Sequence, residues 1–310
     1  MAKRALVTGG AGFIGSHVVD SLLRDGYEVL VVDDLSAGEA DRVAAGARLA
    51  TLDITDAPAL TEAFDEFRPG SVYHLAAQAS VTASVADPGR DCAVNVLGTL
   101  NVVEAARRHR APVVFTSTGG ALYGDDAPIP TGEDEPPMPL SPYGASKLAG
   151  ESYVRSWSAA HGVPNAVMRL GNIYGPRQTP HGEAGVVAIF SYRLWAGEPC
   201  TLYGHGSPTR DYVHVLDVVA ALRAASGRSG IYNVGTGVET DVRALYARLA
   251  EAAGSTAAPA LADLRPGELL RSCLDASRAR RELGWTPRIA LTEGLAGTYE
   301  AMVEGFRAAA

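Results

Sequence analysis

The sequence predicts an α/β fold, with a doubly wound parallel sheet followed by a smaller C-terminal lobe. Three observations predict it. A glycine-rich segment comes directly after the first strand, apolar strands alternate with helices over the first half of the chain, and this alternation is lost after Arg169. With 310 residues, the chain is long enough for one large domain or two intimate ones.

The composition is that of an ordinary globular protein, with 47% apolar and 20% charged residues. The net charge of −8 argues against broad nucleic-acid binding. We expect a cytoplasmic protein without a membrane segment, because no apolar run is long enough and the first strand begins almost at once. The three scattered cysteines predict reduced thiols, and the histidine spacing gives no reason to expect a metal.

Five apolar runs are the predicted strands of the sheet, since parallel strands are buried on both faces. They are RALVTG, YEVLVVD, ARLATLD, SVYHLAA and PVVFTST, with helical stretches such as FIGSHVVDSLLRDG between several of them. We therefore assign residues 1–168 to a first domain and residues 169–310 to the smaller lobe. Segments near 211–236 are expected to return to the first domain.

The segment LVTGGAGFIGSHVV places Gly9, Gly12 and Gly15 at intervals of three, between a strand and a helix. In that context the first glycine permits a tight turn, the second lets a pyrophosphate approach, and the third permits close helix packing. The helix N-terminus then offers its free N–H groups to the phosphates. Asp33 ends the second strand, where a carboxylate binds both ribose hydroxyls and repels a 2′-phosphate, so NAD is favoured over NADP.

The stretch LSPYGASKLAGE predicts a helix with chemistry on one face. Ser141 is its expected cap and Pro142 lies in its first turn, where a missing N–H costs nothing. Tyr143 and Lys147 are four residues apart and therefore share a face. A lysine cation lowers the pKa of a neighbouring phenol, and such a phenol can remove the proton of a substrate hydroxyl while hydride leaves the same carbon.

Taken with TSTGGALYG, GNIYGPRQ, TRDYVHVLDVV and YNVGTG, these motifs resemble the extended short-chain dehydrogenase/reductases, the NAD-dependent epimerase/dehydratase family, nearly end to end. The resemblance implies a Rossmann domain that binds NAD. It implies that Tyr143 is the general base and acid, and that Lys147 holds it ionised and contacts the nicotinamide ribose. Thr118 is the expected hydroxyl on the substrate oxygen, with Ser117 as the alternative.

The resemblance also implies a set of cofactor-binding residues. These are the turn residues over the pyrophosphate, a pair beside adenine, a strand end under the cofactor and a helix asparagine: Phe13, Ile14, Asp53, Ile54, Ala76, Ala77, Gln78 and Asn95. Asn95 has a helix-packing role as its alternative. Gly9, Gly12, Gly15, Asp33, Ser117, Tyr143 and Lys147 complete the set.

The stretch TGGALYG bears on the reaction. Relatives that dehydrate or decarboxylate carry an acidic residue just after the Ser/Thr, and none precedes Tyr123 here, which disfavours dehydration. The remaining cycle oxidises C4 of a sugar, turns the 4-keto sugar over and returns hydride to its other face, so NAD stays bound. The chain looks most like compact bacterial UDP-glucose 4-epimerases, which predicts inversion of C4 in a UDP-hexose.

The resemblance implies substrate contacts in the C-terminal half. Asn172, Arg210 and Arg265 match diphosphate-binding positions, Tyr203 would flank uracil, Glu268 would bind the nucleoside ribose, and the segment GEAGVV would close over the nucleotide. Arg193 lies where a uronic-acid epimerase could hold the C5 carboxylate. For each arginine alone, a surface salt bridge is the alternative role.

Other functions stay open from the sequence: a UDP-glucuronate 4-epimerase, a nucleotide-sugar 4-ketoreductase or dehydrogenase that exchanges its cofactor, and a non-catalytic NAD-binding regulator. The helices DCAVNVLGTLNVVEAARRH and SPYGASKLAGESYVRSWSAAH resemble those that pair across the dimer interface of the family. We therefore expect a homodimer.

Overall fold

The computed structural model describes residues 3–180, 185–265 and 269–309. The chain divides into two compact units, and each is made of three segments. Unit 1 consists of Met1–Leu122, Pro136–Arg169 and Val219–Tyr232, and unit 2 consists of Tyr123–Glu135, Leu170–Val218 and Asn233–Ala310.

Strands and helices alternate through the first 170 residues. In chain order they are β1 (Arg4–Thr8), α1 (Phe13–Arg24), β2 (Glu28–Asp33), β3 (Arg48–Thr51), α2 (Ala57–Phe67), β4 (Ser71–His74), α3 (Val81–Ala86), α4 (Pro88–Cys92), α5 (Thr99–Arg108), β5 (Val113–Thr118), α6 (Pro142–His161) and β6 (Ala166–Leu170). All five predicted strands are confirmed, each within a few residues of its expected bounds.

The elements after residue 170 are shorter and more varied. They are β7 (Asn172–Tyr174), α7 (Val186–Ala196), β8 (Thr201–Tyr203), β9 (Thr209–His214), α8 (Val215–Ala224), β10 (Gly230–Val234), β11 (Glu239–Asp241), α9 (Val242–Ala252), β12 (Ala260–Ala262), α10 (Ser277–Leu283) and α11 (Leu291–Ala309).

The main sheet has seven strands in the order β10-β6-β5-β4-β1-β2-β3. Strand β1 pairs in parallel with β2 and β4, β2 pairs with β3, and β4 pairs with β5. Because the strand order reverses direction beside β1, the carboxyl ends of β1 and β4 border the crevice where ligands bind in doubly wound sheets. The predicted α/β fold class is confirmed.

The core of unit 1 lies around this sheet and contains fully buried side chains such as Leu6, Phe64 and Phe115. Such strands are apolar on both faces because helices cover them on both sides. Unit 2 has a core of its own, which includes Tyr174, Leu202, Leu245 and Leu295. Within the described ranges, no helix is long and apolar enough to cross a membrane.

The helix from Pro88 to Arg108 contains a π-helical segment, Ala93–Gly98, between α4 and α5. The sequence pattern gave no sign of this widening. Gly98 lies at its end, and a Cβ there would stand 2.6 Å from Cδ1 of Ile54, so the helix packs closely on that side chain. Single-turn π segments inside helices occur often at functional sites.

Candidate active site

Gly9–Gly15, which we call the glycine turn, joins β1 to α1. Its backbone makes close contacts that leave no room for a side chain at two of its glycines. Gly9 has a φ of +71°, in the left-handed region, and a Cβ there would lie 2.6 Å from the backbone N of Ala76. A Cβ at residue 15 would lie 2.0 Å from the carbonyl oxygen of Gly9. The first and third glycines are therefore required by the fold of the protein itself.

Gly12 differs from these two glycines, because a Cβ there would meet only the carbonyl oxygen of Gly9, at 3.2 Å. It caps α1, whose first turn has no side-chain cap and no acidic residue. Among the described residues, no acceptor receives the backbone N–H groups of Phe13 and Ile14. Free N–H groups at a helix N-terminus, beside an opening that only glycine leaves, fit a pyrophosphate.

Asp33 lies at the carboxyl end of β2, and 6% of it is exposed. Its Oδ2 accepts the N–H of Ala11 at 2.9 Å and its Oδ1 accepts the N–H of Leu35 at 3.0 Å. A carboxylate oxygen has two acceptor sites, so each can still take a ribose hydroxyl. The two backbone bonds orient this carboxylate beside the glycine turn, as NAD specificity requires.

The pair predicted beside adenine divides into an exposed and a buried residue. Asp53 is exposed, and its Oδ1 accepts the N–H of Thr55 at 2.8 Å. The side chain of Ile54 is buried in the core of unit 1, and its carbonyl accepts from Asn101 at 3.0 Å. Ile54 is thus built into the fold, and its predicted contact with adenine stays a prediction.

The loop after β4 is held by hydrogen bonds from two directions. Thr8 Oγ1 accepts the N–H groups of Leu75 and Ala76, both at 3.2 Å, which ties this loop to the end of β1. The side-chain amide of Asn95 accepts the N–H of Gln78 and donates to its carbonyl, both at 2.9 Å. Ala76 and Ala77 are therefore placed at the sheet edge as predicted for residues under a cofactor.

Gln78 uses its side-chain amide for protein contacts. Its Oε1 accepts the N–H of Ser80 at 2.6 Å, and its Nε2 donates to Ser80 and to Asp91, at 2.9 Å and 2.8 Å. Asn95 is buried and also donates to Asp91 and Ser146, both at 3.0 Å. Both residues hold the protein together at this point, as the helix-packing alternative for Asn95 expects, and their predicted contacts with the cofactor stay predictions.

Thr118, Tyr143 and Lys147, which we call the tyrosine cluster, meet where β5 ends beside the first turns of α6. Ser141 caps α6 by accepting the N–H of Gly144 at 3.2 Å, and Pro142 follows, as predicted. Thr118 accepts the N–H of Ala121 at 3.2 Å, and its hydroxyl lowers the pKa of Tyr143. The threonine is thus the hydroxyl beside the tyrosine.

The predicted lowering of the Tyr143 pKa is wrong for the protein alone. Burial raises the pKa of Tyr143 to about 12, against a smaller lowering by the hydrogen bond with Thr118. Burial also lowers the pKa of Lys147 to about 8, although the negative charges of Glu151 and Asp91 oppose this. Desolvation outweighs the attraction between neighbours because both groups lie inside the protein.

Ser117, the alternative catalytic hydroxyl, points to a different partner. It is buried and donates to Oε1 of Glu151 at 2.6 Å. Glu151 is also paired with Arg169 at 2.7 Å, and both side chains are buried. Lys147 lies on the opposite edge of this group, with its Nζ 4.3 Å from the ring centre of Phe115. Ser117 therefore belongs to a buried ion-pair network under the tyrosine cluster.

The substrate candidates of unit 2 lie on several of its strands, helices and loops. The guanidinium of Arg265 lies 3.8 Å from the ring centre of Tyr203, which makes a cation–π pair. Arg210 donates to the carbonyl of Thr209 at 2.8 Å, and Asn172 opens β7 opposite Tyr212. Arg193 lies in the last turn of α7 and donates to the carbonyl of Pro199 at 3.0 Å, a structural contact. Glu268 and residues 182–184 of the GEAGVV segment lie outside the described residues.

A family model described as the NAD dependent epimerase/dehydratase family matches residues 5–235, which is most of the chain. The chain belongs to this family. The family name agrees with the glycine turn, Asp33 and the tyrosine cluster, and it confirms the resemblance on which the predicted roles depend. NAD is the cofactor of the family, and the residues of unit 1 fit it.

Three known proteins match this chain along nearly their whole length. A UDP-glucose 4-epimerase of Mycolicibacterium smegmatis is 49% identical over 306 residues, which cover 96% of this chain and 97% of the relative. A UDP-glucose 4-epimerase of Thermotoga maritima, solved with UDP-glucose, has a TM-score of 0.96 at 43% identity and covers 98% of this chain and 99% of that one. The UDP-glucose 4-epimerase of Thermus thermophilus, solved with NAD, has a TM-score of 0.91 at 46% identity, over 97% of this chain and 99% of that one.

Several buried polar residues near the site of this family member carry no motif signal that the sequence analysis used. His74 is fully buried, and its Nδ1 and Nε2 lie 2.7 Å from Thr8 Oγ1 and 3.0 Å from Thr99 Oγ1. Thr99 donates its hydrogen to the carbonyl of Asn95, so Nε2 of His74 carries the proton and Nδ1 accepts from Thr8. Burial and the charge of Lys147 lower the pKa of His74 to about 3, so it is neutral.

Asp211 has a similar role in unit 2. It is buried, and its carboxylate accepts the N–H groups of Thr236, Gly237 and Leu274 at 2.8, 3.1 and 3.2 Å. These contacts join β9 to two loops that are distant in the sequence. These contacts fix the strand that carries Arg210. They could not be found from the sequence, because the partners of Asp211 come close only in the folded protein.

Proposed function

We propose that this chain is an NAD-dependent 4-epimerase that interconverts UDP-glucose and UDP-galactose through a transient 4-keto sugar. The relatives that match it end to end support this reaction. The observation that carries it is the tyrosine cluster, in which the hydroxyl of Thr118 lowers the pKa of Tyr143 and Lys147 lies one helical turn further along α6.

The residues of unit 1 have distinct tasks in this reaction. NAD, when bound, takes hydride from C4 of the sugar and returns it to the opposite face. Tyr143 removes the proton of the C4 hydroxyl with its phenol oxygen and gives it back when the ketone is reduced. Thr118 donates a hydrogen bond to the same sugar oxygen. Lys147 supplies the positive charge that stabilises the ionised phenol, whose pKa is raised by burial and by the charge of Asp91.

The cofactor is held by backbone and by one carboxylate. The glycine turn and the free N–H groups of Phe13 and Ile14 receive the pyrophosphate, and Asp33 receives the ribose hydroxyls. A 2′-phosphate beside Asp33 would meet a like charge, so the preferred cofactor is NAD. No net oxidation occurs in the cycle, so a tightly retained NAD serves every turnover.

The substrate is held by residues of unit 2. Arg210, Arg265 and Asn172 bind the diphosphate, because a guanidinium can take phosphate oxygens in pairs. Tyr203 flanks the uracil and Glu268 binds the nucleoside ribose. The contact of Arg193 with Pro199 gives that arginine a structural task, so the uronate substrate has no support from its placement.

The test is an NMR assay on the purified protein without added NAD. It is incubated separately with UDP-galactose and UDP-galacturonate, and the anomeric proton signals are followed. Conversion of UDP-galactose alone is the expected result. Conversion of UDP-galacturonate would move the proposal to a uronate 4-epimerase. Epimerisation that needs added NAD would show that the cofactor is exchanged, and an oxidised sugar with NADH would indicate a dehydrogenase. No conversion of either sugar, with NAD supplied, would refute the UDP-hexose proposal.

We also propose that the protein is a cytoplasmic homodimer that pairs through α5 and α6. Leu97 and Tyr153 are exposed on the π-helical segment and on α6, which pack against each other. Unpaired thiols agree with a reducing compartment. Light scattering should give a dimer mass for the wild type and a monomer mass for Leu97→Asp, whereas a monomeric wild type would exclude the dimer.

A further inference from the structure

Asp91 is a buried carboxylate on α4 that the proposed reaction does not use. It is 1% exposed, and its Oδ1 accepts from Nε2 of Gln78 at 2.8 Å and from Nδ2 of Asn95 at 3.0 Å. In the described ranges no cation pairs with it and no donor reaches Oδ2. A buried charge held by neutral amides alone costs stability, so its presence beside the active site calls for a functional reason.

One chain of contacts leads from Asp91 to the N–H of Tyr143. Gln78, which donates to Asp91, bonds both the N–H and the carbonyl of Ser80. Ser80 is the N-cap of α3, and α3 carries the buried Ser84. The Ser84 hydroxyl accepts the N–H of Tyr143 at 3.1 Å. This N–H lies in the first turn of α6, where the helix offers no acceptor of its own.

A second chain leads from Asp91 to the carbonyl of Tyr143. Asn95, which donates to Asp91, also donates to the hydroxyl of Ser146 at 3.0 Å. Ser146 in turn donates to the carbonyl of Tyr143 at 3.0 Å. The backbone of the proposed catalytic residue is therefore held on both sides by serine hydroxyls, and both serines trace back to one carboxylate.

Two carboxylates, Glu151 and then Asp91, raise the pKa of Lys147 against the effect of burial. Glu151 lies one turn further along α6, and Arg169 from β6 pairs with it at 2.7 Å. His74, at the end of β4, is neutral because burial lowers its pKa to about 3. Helix α4 packs against α6 and brings Asp91, which makes no salt bridge among the described residues. Its negative charge raises the pKa of both Lys147 and Tyr143.

We propose that Asp91 is a positioning residue, the buried counter-charge of Lys147 and the anchor of the two serines that hold the backbone of Tyr143. The expected effect of Asp91 on turnover rests on the proposed function, whereas its effect on the position and pKa of Tyr143 does not. The carboxylate keeps Lys147 in its cationic form and sets the pH at which the phenol gives up its proton. It touches neither substrate nor cofactor.

The test separates the charge of Asp91 from its hydrogen bonds. Asp91→Asn removes the charge and keeps an oxygen that can accept from Gln78 and Asn95. Its amide nitrogen takes the place of Oδ2, which no donor among the described residues reaches. Asp87→Asn is the matched control, because Asp87 is exposed and lies on the same helix. Its Oδ1 caps that helix by accepting the N–H of Arg90 at 2.9 Å, and asparagine caps a helix equally well. Asp91→Ala removes the acceptor as well.

The first measurement is the pH profile of kcat from pH 5.5 to 10. Both limbs of the profile should move to lower pH by about one unit in Asp91→Asn, because the lost negative charge had favoured the protonated forms of Tyr143 and Lys147. The profile of Asp87→Asn should match the wild type. In Asp91→Ala, kcat at the pH optimum should be about tenfold lower than in Asp91→Asn, because the acceptor for Gln78 and Asn95 is lost as well. A purely structural Asp91 would lower kcat and leave both limbs in place, which would overturn the proposal.

The second measurement needs no substrate. Holoenzyme with ¹³Cζ-labelled tyrosine is titrated by NMR, and Tyr143→Phe assigns the Tyr143 signal. Its midpoint should move to lower pH in Asp91→Asn and stay in place in Asp87→Asn. An unmoved midpoint, or equal shifts in both variants, would refute the role of Asp91 even if UDP-hexoses are converted. If Asp91→Asn does not fold, Asp91→Ser removes the same charge and carries the same expectation.

Discussion

The glycine turn and the tyrosine cluster lie in the same unit but differ in what they are made of. The turn works through its backbone, and its glycines exclude side chains that would stand as close as 2.0 Å to a carbonyl oxygen. The cluster works through side chains, one buried and two half-buried, and its support comes from residues up to 59 positions away, such as Ser84, which accepts the N–H of Tyr143. The difference teaches that one region of a site can be local in sequence and the other spread over the whole fold.

Gly15→Ala should break the first region completely. The new Cβ would overlap the carbonyl oxygen of Gly9, so α1 must move, which lowers the free energy of unfolding by about 3 kcal/mol and abolishes NAD retention. Gly12→Ala meets that oxygen at 3.2 Å, so it should lose NAD retention while unfolding within about 1 kcal/mol of the wild type. Urea unfolding and the NAD released by acid measure both effects. Normal NAD content in Gly15→Ala would contradict this assignment.

Tyr143→Phe should break the second region without touching the first. Loss of the phenol removes the acid and base of the reaction, so kcat should fall about 10³-fold. The NAD content and the urea midpoint should stay at wild-type values, because neither the glycine turn nor the two serine contacts with the Tyr143 backbone involve the phenol oxygen. Epimerisation is followed by NMR on the protein as isolated. A fall of less than tenfold would mean that another group moves the proton.

What the sequence could predict follows the same division. Gly9, Gly12, Gly15 and Asp33 were correctly predicted in position, because a strand, a turn and a helix N-terminus are all determined by neighbours in the chain. The cap of α6 at Ser141 was predicted for the same reason.

The supports of the tyrosine cluster could not be predicted from the sequence. Asp91 reaches Gln78, and Asn95 reaches Ser146 from 51 residues away, only after α4 has packed against α6. The π-helical segment between α4 and α5 determines which residues of these helices face inward, and the hydrophobic periodicity of the sequence does not predict it. The pKa of Tyr143 was predicted in the wrong direction because the motif shows the lysine and not the burial.

Thr118→Val and Ser117→Ala sharpen the contrast within two adjacent residues. Thr118→Val keeps the side-chain shape and removes the hydroxyl beside the phenol, so kcat should fall about 10²-fold. The N–H of Ala121 also loses its acceptor, which should lower the free energy of unfolding by about 1 kcal/mol. Ser117→Ala removes a donor from the buried Glu151, which should lower the free energy of unfolding by about 1–2 kcal/mol and change kcat less than threefold. Kinetics and urea unfolding on both variants give the answer. The reverse pattern would make Ser117 the catalytic hydroxyl.

His74 lies at the end of β4 and bonds Thr8 and Thr99, and its burial predicts a pH dependence of stability rather than of rate. Its pKa is about 3 in the folded protein and near 6.5 when unfolded, so only the unfolded chain takes up this proton as the pH falls below 6.5. Stability from this residue is thus complete above pH 6.5 and is lost on acidification.

Between pH 6.5 and pH 5, the wild type should therefore lose about 2 kcal/mol more than His74→Asn, in which the amide oxygen replaces Nδ1. Urea unfolding of both proteins at the two pH values measures the difference. Parallel losses in the two proteins would show that His74 is protonated in the folded state.

The three thiols offer a practical consequence for labelling chemistry. Cys200 and Cys273 are buried, and burial raises their pKa to about 11 and about 12, so they stay as unreactive thiols at neutral pH. Cys92 is exposed and follows Asp91 directly in the chain. A maleimide dye added to the native protein should therefore attach at one position per chain, beside the helix that holds the tyrosine, and report its movements without any engineered cysteine.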